Sequence, residues 1–156
     1  MEKIASFKMN HTNLEPGLYV SRVDNKDGVA VTTFDMRLTR SNREPVMDMP
    51  AIHTIEHLGA TFLRNSSVKN DVVYFGPMGC RTDFYILMFG NLKPENIYGL
   101  AIEMCDFIIN FEGDIPGATP AECGNYSEQS LPMAKYYISK YRETLVKFKN
   151  FEYPQN

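Results

Sequence analysis

Between Gly17 and Arg40 apolar and polar residues alternate, interrupted by the turn formers Asp24-Asn25-Lys26-Asp27-Gly28. Alternation marks a strand with one buried face, so the pattern predicts strands over Gly17 to Val23 and Gly28 to Arg40, joined as a hairpin. In the second strand Phe34, Met36 and Leu38 share one face and Asp35 and Arg37 the other, because strand side chains point alternately to the two sides. The period then lengthens. From Pro50 to about Asn65 the apolar residues Ile52, Ile55, Leu58, Phe62 and Leu63 recur at helical spacing behind a proline suited to a first turn, which predicts a helix with a buried face.

Asp71 to Phe75 and Thr82 to Phe89 again read as strands, linked by Gly76-Pro77-Met78-Gly79-Cys80, where two glycines permit backbone geometry that a Cβ hinders. Pro94 to Phe111 carries Ile97, Leu100, Ala101, Met104, Cys105 and Ile108 three or four apart, a second amphipathic helix. After the turn-rich stretch Gly113 to Gly124, Leu131 to Lys149 reads as a third helix. Pro132 sits in its first turn, and basic residues near its end complement the macrodipole. This mixed order predicts the α+β class: a single domain over residues 1–156, with a small, mainly antiparallel sheet and helices packed on it.

Composition narrows the function. The chain has 156 residues, 44% hydrophobic and 22% charged, enough for one core and too apolar for disorder. Its net charge is −3, and no Lys/Arg cluster is present to neutralise a run of phosphates, so no nucleic-acid partner is expected. The longest apolar run, Phe84 to Phe89, falls far short of the roughly 20 residues of a membrane span, and the first residues lack a signal-peptide stretch. No membrane association is expected, and the cytoplasm is the expected location. Cys80, Cys105 and Cys123 are odd in number and sparse, which in a reducing compartment leaves thiols, metal ligands or a nucleophile.

The densest chemical signal is His53-Thr54-Ile55-Glu56-His57. Histidines at i and i+4 of a helix project the same way and can grip one metal ion, and Glu56, about 60° from His53 around the axis, also faces the site. The order H-x-x-E-H is that of the inverted zincin motif, with the glutamate free for acid/base work. A third ligand is needed, and Cys80, Cys123, His11 or a carboxylate are candidates that spacing does not separate. Cys80, in a glycine-flanked turn beside Arg81, is a candidate acid/base thiol, or else a small residue capping a turn. Arg37 with Asp35 can bind a polar substrate or form an ordinary surface ion pair. Cys105, on the apolar stripe of the second helix, is assigned no role.

Together these segments resemble the S-ribosylhomocysteine lyase (LuxS) family. The resemblance spans nearly the whole chain, through Ser6-Phe7 and His11, Phe34-Asp35-Met36-Arg37, His53 to Leu58, Gly76 to Thr82, Cys123-Gly124-Asn125-Tyr126, and Leu131 to Lys135. It implies His53, His57 and Cys123 as ligands of one divalent ion per subunit, iron(II) in the cell, although zinc or cobalt suits the same N/S set. It further implies Cys80 as a catalytic thiolate, Glu56 as the second acid/base group, and Ser6, His11 and Arg37 as pocket residues. The implied reaction releases homocysteine and 4,5-dihydroxy-2,3-pentanedione, the autoinducer-2 precursor, from S-ribosylhomocysteine. The carbonyl migrates along the sugar before a β-elimination. The implied assembly is a homodimer with sites at the interface, where amino-terminal residues reach the partner's metal.

Three positions depart from the family pattern: Asn10, where an acid is often found, Asp83, where glycine is common, and Gln129, where many members carry histidine. Asp83 places a carboxylate three residues after Cys80, so a tuned rate or pH profile is expected. Two other readings of H-x-x-E-H remain: an inverted-motif metallopeptidase, which resembles much larger chains with a distant glutamate ligand, and a non-catalytic binding module with a closed, four-ligand metal.

Overall fold

The alternating segments pair into one antiparallel sheet. In a computed structural model, which describes residue 2 and residues 9–154, the strands are β1 (Gly17–Lys26), β2 (Val29–Arg37), β3 (Val72–Pro77) and β4 (Asp83–Phe89). Their order across the sheet is β1-β2-β4-β3, each neighbour antiparallel. The helices are α1 (Met49–Asn65), α2 (Pro94–Asn110) and α3 (Leu131–Phe148). They touch one another and pack on the sheet, giving the α+β arrangement that the mixed order predicted. Among the described residues no helix is long and apolar enough to cross a membrane.

The register decides what is buried. Leu18 stands opposite Met36, Phe34 opposite Ile86, and Phe75 opposite Ile86 from the other side. These residues, with Phe84 and Met88, form the sheet's contribution to a core that Ile52, Ile55 and Leu58 of α1, Met104 and Ile108 of α2, and Ile138 and Leu145 of α3 complete. The same alternation places Tyr19, Asp35, Arg37, Asp83 and Tyr85 on the opposite face, where a two-layer protein ordinarily meets solvent. There Asp35, Arg37 and Asp83 are nonetheless buried.

Two boundaries differ from the pattern for physical reasons. The β1–β2 turn is only Asp27-Gly28, both with positive φ (51° and 82°), which matches the twist of a two-residue hairpin. Asp24 to Lys26, polar as they are, therefore continue the edge strand. At the β3–β4 turn the left-handed residue is Arg81 (φ 62°) rather than either glycine. The turn is tied by the Arg81 amide donating to the Met78 carbonyl at 2.9 Å and by the Met47 amide donating to the Arg81 carbonyl at 3.1 Å.

Candidate active site

Helix α1 starts where the Asp48 carboxylate accepts the Ala51 amide at 3.0 Å, satisfying a donor that the first turn leaves free. Burying Ile52, Ile55 and Leu58 turns His53, Glu56 and His57 outward, one helical turn apart. The Nε2 atoms of His53 and His57 lie 3.0 Å apart, and Cys123 Sγ lies 3.4 Å from His53 Nε2. Cys123 arrives from the loop after α2, where its amide donates to the Thr119 carbonyl at 3.0 Å and the Asn125 amide donates to its sulfur at 3.5 Å. Among the described residues His53, His57 and Cys123 are the His/Cys/Asp/Glu group able to hold a metal ion, their ligand atoms all within 4.8 Å. Glu56 lines the same depression, with Pro116 and Gly117.

The tautomers follow from what each Nδ1 faces. His57 Nδ1 lies 2.7 Å from the Pro116 carbonyl, and His53 Nδ1 lies 2.9 Å from the Glu128 carbonyl. A carbonyl only accepts, so each Nδ1 carries the proton and each Nε2 presents a lone pair. The Gln129 amide nitrogen, 3.2 Å from His53 Nδ1, is the more distant neighbour, and the nearer carbonyl sets the tautomer. Two lone pairs at 3.0 Å repel, and a cation between them turns the repulsion into ligation. Metal–nitrogen bonds of about 2.0–2.1 Å and a metal–sulfur bond of about 2.3 Å, arranged tetrahedrally, separate the ligand atoms by roughly 3.3 and 3.6 Å. The spacings of 3.0 and 3.4 Å fit such an ion, and the imidazole and thiol donors suit zinc, cobalt or iron(II) better than magnesium or calcium. The third place is held by a sulfur and not by the glutamate of the peptidase alternative. No fourth protein ligand joins the group among the described residues, unlike a closed structural site.

A second cluster gathers at the end of the sheet. Arg37, the last residue of β2, stands opposite Asp83, the first of β4. Its Nη2 donates to Asp35 Oδ2 at 2.7 Å, and its Nη1 donates to Thr82 Oγ1 at 2.6 Å and pairs with Asp83 Oδ1 at 3.0 Å. Behind it the Tyr153 hydroxyl donates to Asp35 Oδ2 at 2.9 Å, with the Tyr153 ring stacked on Tyr19 at 4.5 Å. Among the described residues Asp35 Oδ1 and Arg37 Nε have no hydrogen-bond partner. Burial pushes Asp35 up to about 7; Arg37 pulls it down, Asp83 pushes it further up, and the desolvation prevails because one guanidinium serves two carboxylates. The same two carboxylates hold Arg37 firmly cationic.

Arg37, Asp83, Cys80, His11, Met78 and Tyr85 line a cavity of about 270 Å³ beside this cluster. Cys80 is exposed at its mouth, while Asp35 is fully buried and supports Arg37 from behind instead of lining the cavity. The structure thus brings Glu56 to the His53/His57/Cys123 group and His11 to the Cys80/Arg37 group, and the two groups line separate depressions with no residue in common. Ser6 lies outside the described residues. The sequence did not reveal Thr82, which bridges Arg37 and Cys80, or Tyr153, which braces Asp35. It also did not reveal the Pro116 and Glu128 carbonyls, since a backbone acceptor leaves no mark on residue identity.

Two imidazoles and a thiol thus converge with a carboxylate beside them, and a second thiol lies next to an arginine in the other depression. The S-ribosylhomocysteinase (LuxS) family model matches residues 4–152. The chain is 53% identical to the S-ribosylhomocysteine lyase of Finegoldia magna, over 99% of this chain and 100% of the relative. It is 53% identical to that of Clostridium acetobutylicum, over 93% and 92%, and 50% identical to that of Borreliella burgdorferi, over 99% and 100%. The chain belongs to the LuxS family, whose members are carbon–sulfur lyases.

Proposed function

We propose that this protein cleaves S-ribosylhomocysteine to homocysteine and 4,5-dihydroxy-2,3-pentanedione, using one divalent ion per subunit, iron(II) in the cell, held by His53, His57 and Cys123. The supporting observation is the convergence of two Nε2 lone pairs and one sulfur in a depression that Glu56 shares, in a chain of this family. When bound, the ion supplies a Lewis acid for sugar oxygens without changing its redox state.

The protein's own groups then do the proton work. Cys80 and Glu56 take the proton from the carbon beside the carbonyl and return one to the neighbouring carbon, so that the carbonyl moves along the sugar. With a ketone at the third carbon, removal of the proton on the fourth pushes its electron pair into a new double bond, and the bond from the fifth carbon to sulfur breaks. Homocysteine leaves with that sulfur's electron pair and a proton. Arg37, braced by Asp35, and His11 and Ser6 orient the substrate's polar groups. Because Cys80 and Glu56 line separate depressions of one chain, a homodimer supplies the two halves to a single substrate at its interface, the amino-terminal residues reaching across to the partner. The reaction belongs in the cytoplasm and needs neither nucleic acid nor membrane.

The test is release of free homocysteine thiol by anaerobically purified protein given S-ribosylhomocysteine. Native protein is expected to release it, whereas Cys80→Ala and Glu56→Ala retain metal by elemental analysis and release about a thousandfold less, the usual scale of a lost acid/base group. Native-like turnover by either variant would remove that residue from the mechanism, and full turnover by metal-stripped protein would remove the ion.

A further inference from the structure

Asp83 is buried at 1% exposure, and its Oδ1 is the acceptor for three groups at once: Arg37 Nη1, Thr82 Oγ1 and Cys80 Sγ, each at 3.0 Å. We propose that Asp83 is a positioning residue for Cys80, whose carboxylate holds the thiol proton on sulfur and so sets how readily that sulfur becomes anionic. The proposal rests on the reading that Cys80 takes part in proton transfer.

An ionised carboxylate can only accept, so the hydrogen between Sγ and Oδ1 belongs to sulfur, and the contact fixes the direction of the S–H bond. When Cys80 gives its proton to a base, the bond's electron pair stays on sulfur and leaves two anions in contact. That arrangement costs free energy in a partly desolvated pocket. The groups facing the sulfur do not cancel the cost. Arg37 divides its charge between Asp83 and Asp35, Thr82 is a neutral hydroxyl 3.1 Å from Sγ, His11 and Tyr85 line the cavity, and Arg81 is the next residue along the turn. With Asp35 ionised, Arg37 and the two carboxylates sum to one negative charge; with Asp35 protonated they sum to zero, and the Asp83 carboxylate is still the charge in contact with Sγ. Asp83 is also held rigidly, by its cross-strand pairing with Arg37, so it does not swing away as the thiol ionises.

The experiment is alkylation by iodoacetamide at neutral pH, followed by the mass of the peptide that contains Cys80, in native protein and in Asp83→Asn. Removing the neighbouring charge is expected to speed alkylation of Cys80 by about tenfold. It should also move the rising limb of the homocysteine-release pH profile to lower pH with little change in KM, a shift that a purely structural residue would not produce. An unchanged alkylation rate in a cooperatively folded variant overturns the proposal. Asp83→Gly, which deletes the carboxylate altogether, should behave in the same direction. If neither variant folds, the native protein decides: the NMR signal of the Asp83 carboxyl carbon should move when Cys80 is alkylated, and a signal that stays in place overturns the idea. Alkylation needs no substrate, so a native protein that released no homocysteine would defeat the functional reading while leaving this test intact.

Discussion

Asp35 shows what a single residue can be made to do by burial. Alternation along β2 placed it beside Arg37 on the face away from the core, where an ion pair ordinarily stands in solvent and contributes little. Here it is buried, and Tyr153, near the far end of the chain, donates its hydroxyl to it, a contact that no local pattern announces. One arginine then serves Asp35 and Asp83 together, and one oxygen of Asp35 has no partner among the described residues. Its folded value, raised from 3.8 to about 7, means that the carboxyl binds its proton more tightly folded than unfolded. This contribution to stability is fully present below the unfolded value and is lost as the pH rises through about 7. Glu15 and Glu44, held below their ordinary values by Arg40, Arg43 and Lys140, act in the opposite sense, but they are common to any two variants compared. The unfolding free energy of native protein, measured with urea between pH 4 and pH 7, is therefore expected to fall more steeply with rising pH than that of Asp35→Asn. Parallel pH dependences would show that Asp35 is ionised throughout.

At the scale of elements, the periodicities were enough to locate the four strands and three helices of the described residues, because each buries one face against a common core and burial imposes the period. The ends were less legible, since they depend on turn geometry such as the positive φ of Arg81 and on polar edge residues that a strand tolerates. Helix α1 illustrates both the strength and the limit of pattern. Its apolar stripe fixes which residues point inward and hence that His53, Glu56 and His57 point out, but propensity misjudges Gly59. By propensity alone, Gly59→Ala in a helix interior should stabilise by about 1 kcal/mol. The structure reverses the sign: a Cβ there would stand 2.3 Å from Cε1 of Phe75, a ring stacked on Phe84 at 5.2 Å and unable to retreat cheaply. Overpacking of this kind costs about 1–3 kcal/mol, so the expected net outcome is a loss of stability or, at the low end, no gain. Thermal or urea unfolding of Gly59→Ala checks this, and a clear gain would mean that the Phe75 ring yields to a Cβ on α1 at little cost.

For the whole molecule the question is how pieces far apart in sequence come to serve one reaction. The histidine pair was readable because its spacing is local to one helix. Its sulfur partner was not, because Cys123 is delivered by a loop whose path depends on the packing of α2, and only the resemblance distinguished it from Cys80. The structure makes that distinction physical: Cys123 sits with the histidines, and Cys80 sits with Arg37 in another depression. If one substrate must meet both, two chains must each lend half a site, and the two halves can then be repaired independently. Cys80→Ala spoils only the thiol half and His57→Ala only the metal half, so neither homodimer should work. A mixed dimer, in contrast, contains one site with both halves intact. Co-refolding or co-expressing the two variants in equal amounts makes half of the dimers mixed, and with one good site of two, activity should recover to about a quarter of native by random pairing in a twofold-symmetric assembly. Homocysteine release measures it directly. Recovery to that level identifies a site shared between subunits, whereas two variants that remain inactive when mixed would place Cys80 and the metal group of one chain in the same site and require the two depressions to join within a single subunit.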